Sequence, residues 1–166
     1  MKTTNELTVT TPSDREMMFS RVFDAPRGLV FDAYTKCEYL KQWLGAFPGW
    51  SLDVCKIELK VGGSYRYEWR NTDGTTMAMG GVYREIVTGE RIVCTEKFDE
   101  AWYEGDGAVQ TTTFHETNGK TTLSTTVLYA SKAARDEALE TGIEGVSANY
   151  AALDEVLAKL TKGART

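Results

Sequence analysis

The sequence predicts an α+β fold: a curved antiparallel sheet, two short helices near its start, and a long C-terminal α-helix lying across the sheet around a hydrophobic cavity. Three observations carry this. From about Glu6 to Tyr129, apolar and polar residues alternate in short runs broken by Gly, Pro, Asn and Asp, as successive half-buried strands do. From Lys132 to Lys162 the period changes to that of an amphipathic helix. Aromatic and polar residues share the faces that would turn toward that helix, a composition suited to a pocket wall.

The elements follow in order. Glu6–Thr10 and Glu16–Phe23 read as a first strand pair or as one interrupted strand, with Pro12-Ser13-Asp14 as the break. Pro26 marks the start of a short helix, where its missing N–H costs nothing, and Leu29, Val30, Ala33 and Tyr34 give that helix an apolar stripe. Thr35-Lys36-Cys37-Glu38 has the spacing of a capping box and predicts a second short helix carrying Tyr39, Leu40 and Trp43. Gly45-Ala46-Phe47-Pro48-Gly49-Trp50 reads as a loop, either plugging the core with Phe47 and Trp50 or covering a pocket mouth with them. Leu52–Leu59 and Ser64–Arg70 are strands, and period two places Tyr65, Tyr67 and Trp69 on one face. After the Asp73-Gly74 turn, Met77, Met79, Gly81 and Tyr83 share the inner parity of the next strand, provided no bulge intervenes. Arg91–Phe98, Val109–Glu116 and Thr121–Tyr129 complete the sheet, the last two joined through Asn118-Gly119. Asp99–Gly107 is a polar loop holding Trp102 and Tyr103. Ser131 is a good N-cap for the final helix, whose Leu139, Ile143, Val146, Tyr150, Leu153, Leu157 and Leu160 form one face. Gly142 and Gly145 are costly inside a helix, about 1 kcal/mol each, and one can mark a kink near Thr141-Gly142.

At 166 residues the chain is the size of one domain, 1–166, with its core over 15–160. The net charge of −5, without a basic run, argues against nucleic-acid binding. Met1–Glu6 has no apolar h-region, and no apolar run approaches the roughly 20 residues of a membrane span, so neither secretion nor membrane insertion is expected. Cys37, Cys55 and Cys94 are odd in number and scattered, and read as reduced thiols of a cytoplasmic protein. With His115 the lone histidine and no paired ligand spacing, no metal is expected. Gly62-Gly63 opens no helix, so it reads as a turn or bulge rather than a phosphate loop, and no cofactor is expected.

The order of several motifs resembles a known family. Phe23-Asp24-Ala25-Pro26, Val30-Phe31-Asp32-Ala33-Tyr34-Thr35, Glu38-Tyr39-Leu40 and Trp43 look like the opening of the Aha-type family, homologues of the activator of the heat-shock ATPase within the START-like (SRPBCC) superfamily. Gly62-Gly63-Ser64-Tyr65-Arg66-Tyr67-Glu68-Trp69, Gly81 through Val87, Glu90 through Val93 with Thr95-Glu96, and Thr141-Gly142-Ile143-Glu144-Gly145 with Tyr150 and Leu153-Asp154 resemble its later segments. The chain departs from the family pattern at Cys37, where the family usually has Pro, and at Thr88, where it often does. The resemblance implies the helix-grip fold, in which the sheet holds the terminal helix around a cavity. Its members include lipid carriers, cyclases, receptors and a co-chaperone domain, so fold does not select a function.

Placing the apolar members of each strand inward also brings in Gln110 and Thr112 with Phe114, and Glu96 with Ile92, Cys94 and Phe98. The expected ligand-binding set is Phe47, Trp50, Tyr65, Tyr67, Trp69, Met77, Met79, Glu96, Phe98, Thr112, Phe114, Ile143, Val146 and Tyr150. Desolvation should raise the pKa of Glu96. Glu96 then has three readings: a member of a structural hydrogen-bond network, an anchor for the polar end of a ligand, or a general acid or base. Three functions correspond: binding a hydrophobic small molecule such as a lipid or polyketide-like aromatic, cofactor-independent cyclase, dehydratase or hydrolase-like chemistry at Glu96, or interaction with a stress (heat-shock) ATPase. Monomer and homodimer are both compatible with the sequence.

Overall fold

Alternating side chains force one face of each strand inward, and here the strands join into one sheet that wraps its inward face around helices. The computed structural model describes residues 6–45, 47–99 and 107–164. In order these form β1 (Thr8–Ser13), β2 (Glu16–Phe23), α1 (Arg27–Thr35), α2 (Cys37–Trp43), β3 (Trp50–Ile57), β4 (Ser64–Asn71), β5 (Thr76–Val87), β6 (Arg91–Phe98), β7 (Ala108–Thr117), β8 (Lys120–Leu128), α3 (Lys132–Thr141) and α4 (Ile143–Ala164). The sheet has eight strands in the order β1-β2-β8-β7-β6-β5-β4-β3, with every neighbouring pair antiparallel. α4 lies against α1 and α2, and α3 touches β2. This is the helix-grip arrangement expected from the sequence. Among the described residues, no helix is long and apolar enough to cross a membrane.

Both hairpin signals behave as expected. Asn118 and Gly119 take positive φ, 53° and 78°, between the paired Thr117 and Lys120, which suits a tight hairpin turn. At the other turn the Asp73 carboxylate accepts from the backbone N–H of Thr75, and hydrogen bonds from the Thr75 hydroxyl and then its backbone N–H hold the Asp73 pKa low.

Several expectations are corrected. β1 continues through Pro12 to Ser13. It is an edge strand, so Pro12 lacks only an N–H that the ladder does not need. β3 begins at Trp50, placing that residue on a strand rather than in the preceding loop. The capping box at Thr35 does not form: Thr35 Oγ1 donates instead to the Phe31 carbonyl, 2.7 Å away, and the N-cap of α2 is Lys36. The parity of β5 holds from Met77 to Tyr83, then a bulge between Tyr83 and Glu85 turns Ile86 inward. The terminal helix is two helices with Gly142 between them. Ser131 caps α3 by accepting from the Ala134 N–H, and a Cβ at Gly142 would stand 2.8 Å from the Ala138 carbonyl oxygen, so the break falls where a side chain is hardest to fit.

The cysteine reading is overturned. Cys37 and Cys55 form a disulfide that ties α2 to edge strand β3, and only Cys94 is free. An odd count of scattered cysteines hides a pair that the fold brings together across 18 residues.

Candidate functional site

The inner face of the sheet has two different halves. Over β2, β7 and β8 it is closed by rings. Phe23 stands edge-on to Tyr150 of α4, with centroids 5.5 Å apart. Tyr34 of α1 packs on Trp43 and Phe114, and Phe31 meets Phe114 at 5.2 Å. Leu123 and Leu153 are fully buried beneath them. Arg21, on β2, donates from Nη1 to the Tyr150 carbonyl at 2.6 Å, lies over the Phe23 ring and pairs with Asp154. Aliphatic, aromatic and polar capacities are thus satisfied between sheet and helix.

The half over β4–β6 is built differently. Tyr65, Tyr67 and Trp69 on β4 and Tyr83 on β5 form a continuous ladder of rings, with neighbouring centroids 5.3 to 5.9 Å apart. Beside it stand Cys94 and Glu96 of β6. Met77, Met79, Phe98, Gln110, Ile143 and Val146 at its margin are only half-buried. Here the wall is aromatic and polar, and its margin is half-buried.

Glu96 is 8% exposed. Desolvation pushes its carboxyl up to about 7, and Gln110 Nε2 donates to Glu96 Oε2. Burial likewise pushes the surrounding acids upward. Tyr34 rises to about 12 and the Cys94 thiol to about 12, while Tyr65, Tyr67, Tyr83 and Tyr150 rise above the ordinary phenol range. All therefore stay protonated near neutral pH and act as neutral hydroxyl or thiol groups. The Tyr65 hydroxyl donates to the Thr95 carbonyl at 2.6 Å, and the Tyr34, Thr112 and Thr125 hydroxyls form a short chain.

The segment between α2 and β3 borders this half. The Gly45 N–H donates to Asn149 of α4, and Trp69 Nε1 donates to the Leu44 carbonyl. Gly45 has φ +83°, and a Cβ there would sit 2.2 Å from Trp69 Nε1, so the close approach of backbone to indole requires glycine. Beyond it, Gly45, Phe47, Trp50, Trp69 and Met77 line an apolar recess of about 270 Å³. A larger recess of about 300 Å³ shares Trp69 and Met77 but is lined largely by charged residues, among them Asp53, Arg66, Glu68, Arg70 and Asp99. Its arginines are engaged in the ion pairs Arg66–Glu68, Arg66–Asp99 and Arg70–Asp53. The smaller, apolar recess meets the ring ladder at Trp69.

The expected site residues thus divide. Tyr65, Tyr67, Trp69, Met77, Met79, Glu96 and Phe98 lie on one stretch of the inner face, with Phe47 and Trp50 at its edge. Thr112, Phe114 and Tyr150 belong to the closed half or its border, and Ile143 and Val146 are half-buried just after the helix break. Trp102 and Tyr103 fall outside the described residues. The sequence reading left the Tyr34 hydroxyl out of the site, because an apolar stripe on a short helix signals core rather than a polar contact.

Residues 24–158 match the family described as Activator of Hsp90 ATPase homolog 1-like protein. The chain belongs to this family. A solved structure from Rhodobacter sphaeroides is 28% identical, with a TM-score of 0.86, covering 93% of this chain and 99% of its own. One from Chromobacterium violaceum is also 28% identical, with a TM-score of 0.72, covering 87% and 98%. An AHSA1-like protein from Aeromonas hydrophila, at 17% identity, shares the fold: TM-score 0.67, covering 84% and 93%. Among curated proteins, none matches this chain. In this activator-like domain the chemically distinctive part is the half over β4–β6. It offers ring faces, neutral hydroxyls and one carboxyl whose protonation changes near neutral pH.

Proposed function

We propose that this activator-like domain binds a small apolar molecule against the Tyr65–Tyr67–Tyr83 wall, with its polar end toward Glu96. The observation that supports this is the contrast within one inner face: rings close one half, while the other keeps a half-buried rim around a buried carboxyl. The apolar recess at Phe47, Trp50 and Met77 is the route of entry. Burying about 300 Å² of apolar ligand contributes roughly 7 kcal/mol before immobilisation costs, enough for micromolar affinity. Native mass spectrometry of protein purified gently from its host tests the reading and reports whether it is a monomer or homodimer. A retained apolar compound is expected. No retained compound, together with no tryptophan fluorescence change across a panel of apolar ligands, would overturn it.

Two further readings each rest on one observation. A carboxyl poised near neutrality beside Tyr hydroxyls is what a cofactor-independent cyclase, dehydratase or hydrolase needs of a general acid or base; Glu96→Gln would then abolish turnover of the bound compound. The family description favours a heat-shock ATPase as a protein partner, with exposed Phe47 as a contact; unchanged ATPase rate on adding the protein counts against it. The proposed location is the cytoplasm. The Cys37–Cys55 disulfide weighs against a constantly reducing compartment, so cell fractionation with thiol trapping is the appropriate test.

A further inference from the structure

The Cys37–Cys55 disulfide joins two segments that are held unequally. α2 is anchored independently of the bond: Leu40 and Trp43 are buried, and Trp43 Nε1 donates to the Ala33 carbonyl at 2.9 Å. β3 is an edge strand, paired only with β4, and its register shifts between Leu52 and Val54. Both bonded cysteines are only half-buried, and exposed disulfides are the ones that thiols reach. Cys94 stays out of any exchange. It is buried on β6, with β4 and β5 between it and Cys55, and burial pushes its thiol up to about 12, which leaves little thiolate to attack. The bond also frames the apolar recess. Gly45, Phe47 and Trp50 lie within the loop that the disulfide closes, whereas Trp69 and Met77, on β4 and β5, lie outside it. The recess is therefore a seam between a covalently closed loop and the sheet. Hydrogen bonds also hold the loop: the Gly45 N–H donates to Asn149, and the Thr72 N–H donates to the Gly49 carbonyl.

We propose that Cys37–Cys55 is a reversible thiol–disulfide exchange site whose redox state controls the apolar recess. Oxidised, the loop wall of the recess is fixed; reduced, that wall loosens while the core stays folded. The reductant is a dithiol. One of its thiolates attacks a protein sulfur, the S–S bond breaks, and the other cysteine leaves as a thiolate that takes up a proton. The second thiol of the dithiol then attacks the mixed disulfide and releases the remaining cysteine. The dithiol ends as its own disulfide, and its two electrons and two protons end on Cys37 and Cys55. A disulfide of the same class reverses the exchange. The inference holds whatever occupies the recess, so it stands apart from the small-molecule reading above.

The test equilibrates the full chain, without denaturant, in neutral buffers holding reduced and oxidised dithiothreitol at varied ratio. Samples are trapped with N-ethylmaleimide for mass spectrometry, and amide hydrogen exchange is measured at the oxidised and reduced end points. Labels should appear together on Cys37 and Cys55 and disappear again as the ratio is reversed, with the far-ultraviolet circular dichroism unchanged. Exchange at the Gly45, Trp50 and Thr72 amides should quicken at least about tenfold on reduction, while the amides of β7 and β8 hold their rates. If Cys37 and Cys55 resist labelling, or label only as the circular dichroism collapses, the bond is a fixed staple and the exchange site is overturned. Labelling of both without reductant overturns it equally. Reversible labelling with unchanged exchange at Gly45, Trp50 and Thr72 overturns control of the recess.

Discussion

The two halves of the sheet start from the same alternating pattern and end with different contents. Over β2, β7 and β8, inward positions meet helices, and Phe23, Phe114, Tyr150 and Leu153 interlock with little exposure. Over β4–β6, inward positions carry four large aromatic residues in a row, a thiol and a carboxyl, and methionines mark the rim. Both halves belong to one buried cluster, and the second is bordered by the half-buried Met77, Met79 and Phe98. Burial of the first kind is worth most when packing is tight, because a cavity left behind adds its own cost.

The sharpest way to break this comparison is truncation on both sides. Leu153→Ala or Phe23→Ala should cost about 3–5 kcal/mol, read as a lower urea midpoint at constant slope. Met79→Ala, at a half-buried position, should cost about 1 kcal/mol. Equal losses would mean that the halves are equally packed and that the rim is core.

Glu96 separates the halves by pH. Its folded pKa, about 7, lies above its ordinary value. The folded state therefore binds more protons than the unfolded state between roughly pH 4.5 and 7, and stability falls as pH rises through that window. The loss amounts to at most about 3 kcal/mol. Glu96→Gln should flatten melting temperature against pH and leave the variant more stable than wild type at pH 8. An unchanged slope would show that Glu96 ionises without cost, as in a fully compensated network.

The disulfide bridges the two regions, from α2 on the helical side to β3 at the edge of the ring ladder. Closing a loop of this length constrains the unfolded chain by about 3 kcal/mol in the chain-entropy account. Cys55→Ser should lose stability by up to that amount in non-reducing buffer, and reducing agent should lower the wild-type melting temperature while leaving the variant unaffected. A wild-type protein indifferent to reduction would mean that the two thiols are not joined in solution.

How legible was this in the sequence? Strand parity placed Tyr65, Tyr67, Trp69 and Glu96 inward, because period two leaves a strand residue only two faces. Asn118-Gly119 and Ser131 worked because local sterics and a single hydrogen bond decide them. What failed was non-local. Cys37 and Cys55 meet only after α2 docks on β3, and no spacing rule encodes that. Thr35 had the right spacing for a cap but found a nearer carbonyl one turn back. The half-buried margin beside the ring ladder also escaped, since it depends on where α4 lies rather than on any strand's own pattern.

The smallest effect tests the boundary between the halves. Gly145 lies inside α4, where alanine is favoured by about 1 kcal/mol. A Cβ there would stand 3.2 Å from the Phe47 ring, tight enough that one of the two must give. Phe47 is 37% exposed and lies outside any strand or helix, so its ring has somewhere to go. Gly145→Ala should therefore stabilise the protein by a few tenths to about 1 kcal/mol, with a small change in Trp50 fluorescence as the wall of the apolar recess shifts. Gly142→Ala is the counterpart: its new Cβ would meet a backbone oxygen at 2.8 Å, which cannot rotate away, so it should destabilise. If Gly145→Ala also destabilises, Phe47 is locked against α4, and the recess beside it is a rigid part of the closed half rather than an entrance to the other.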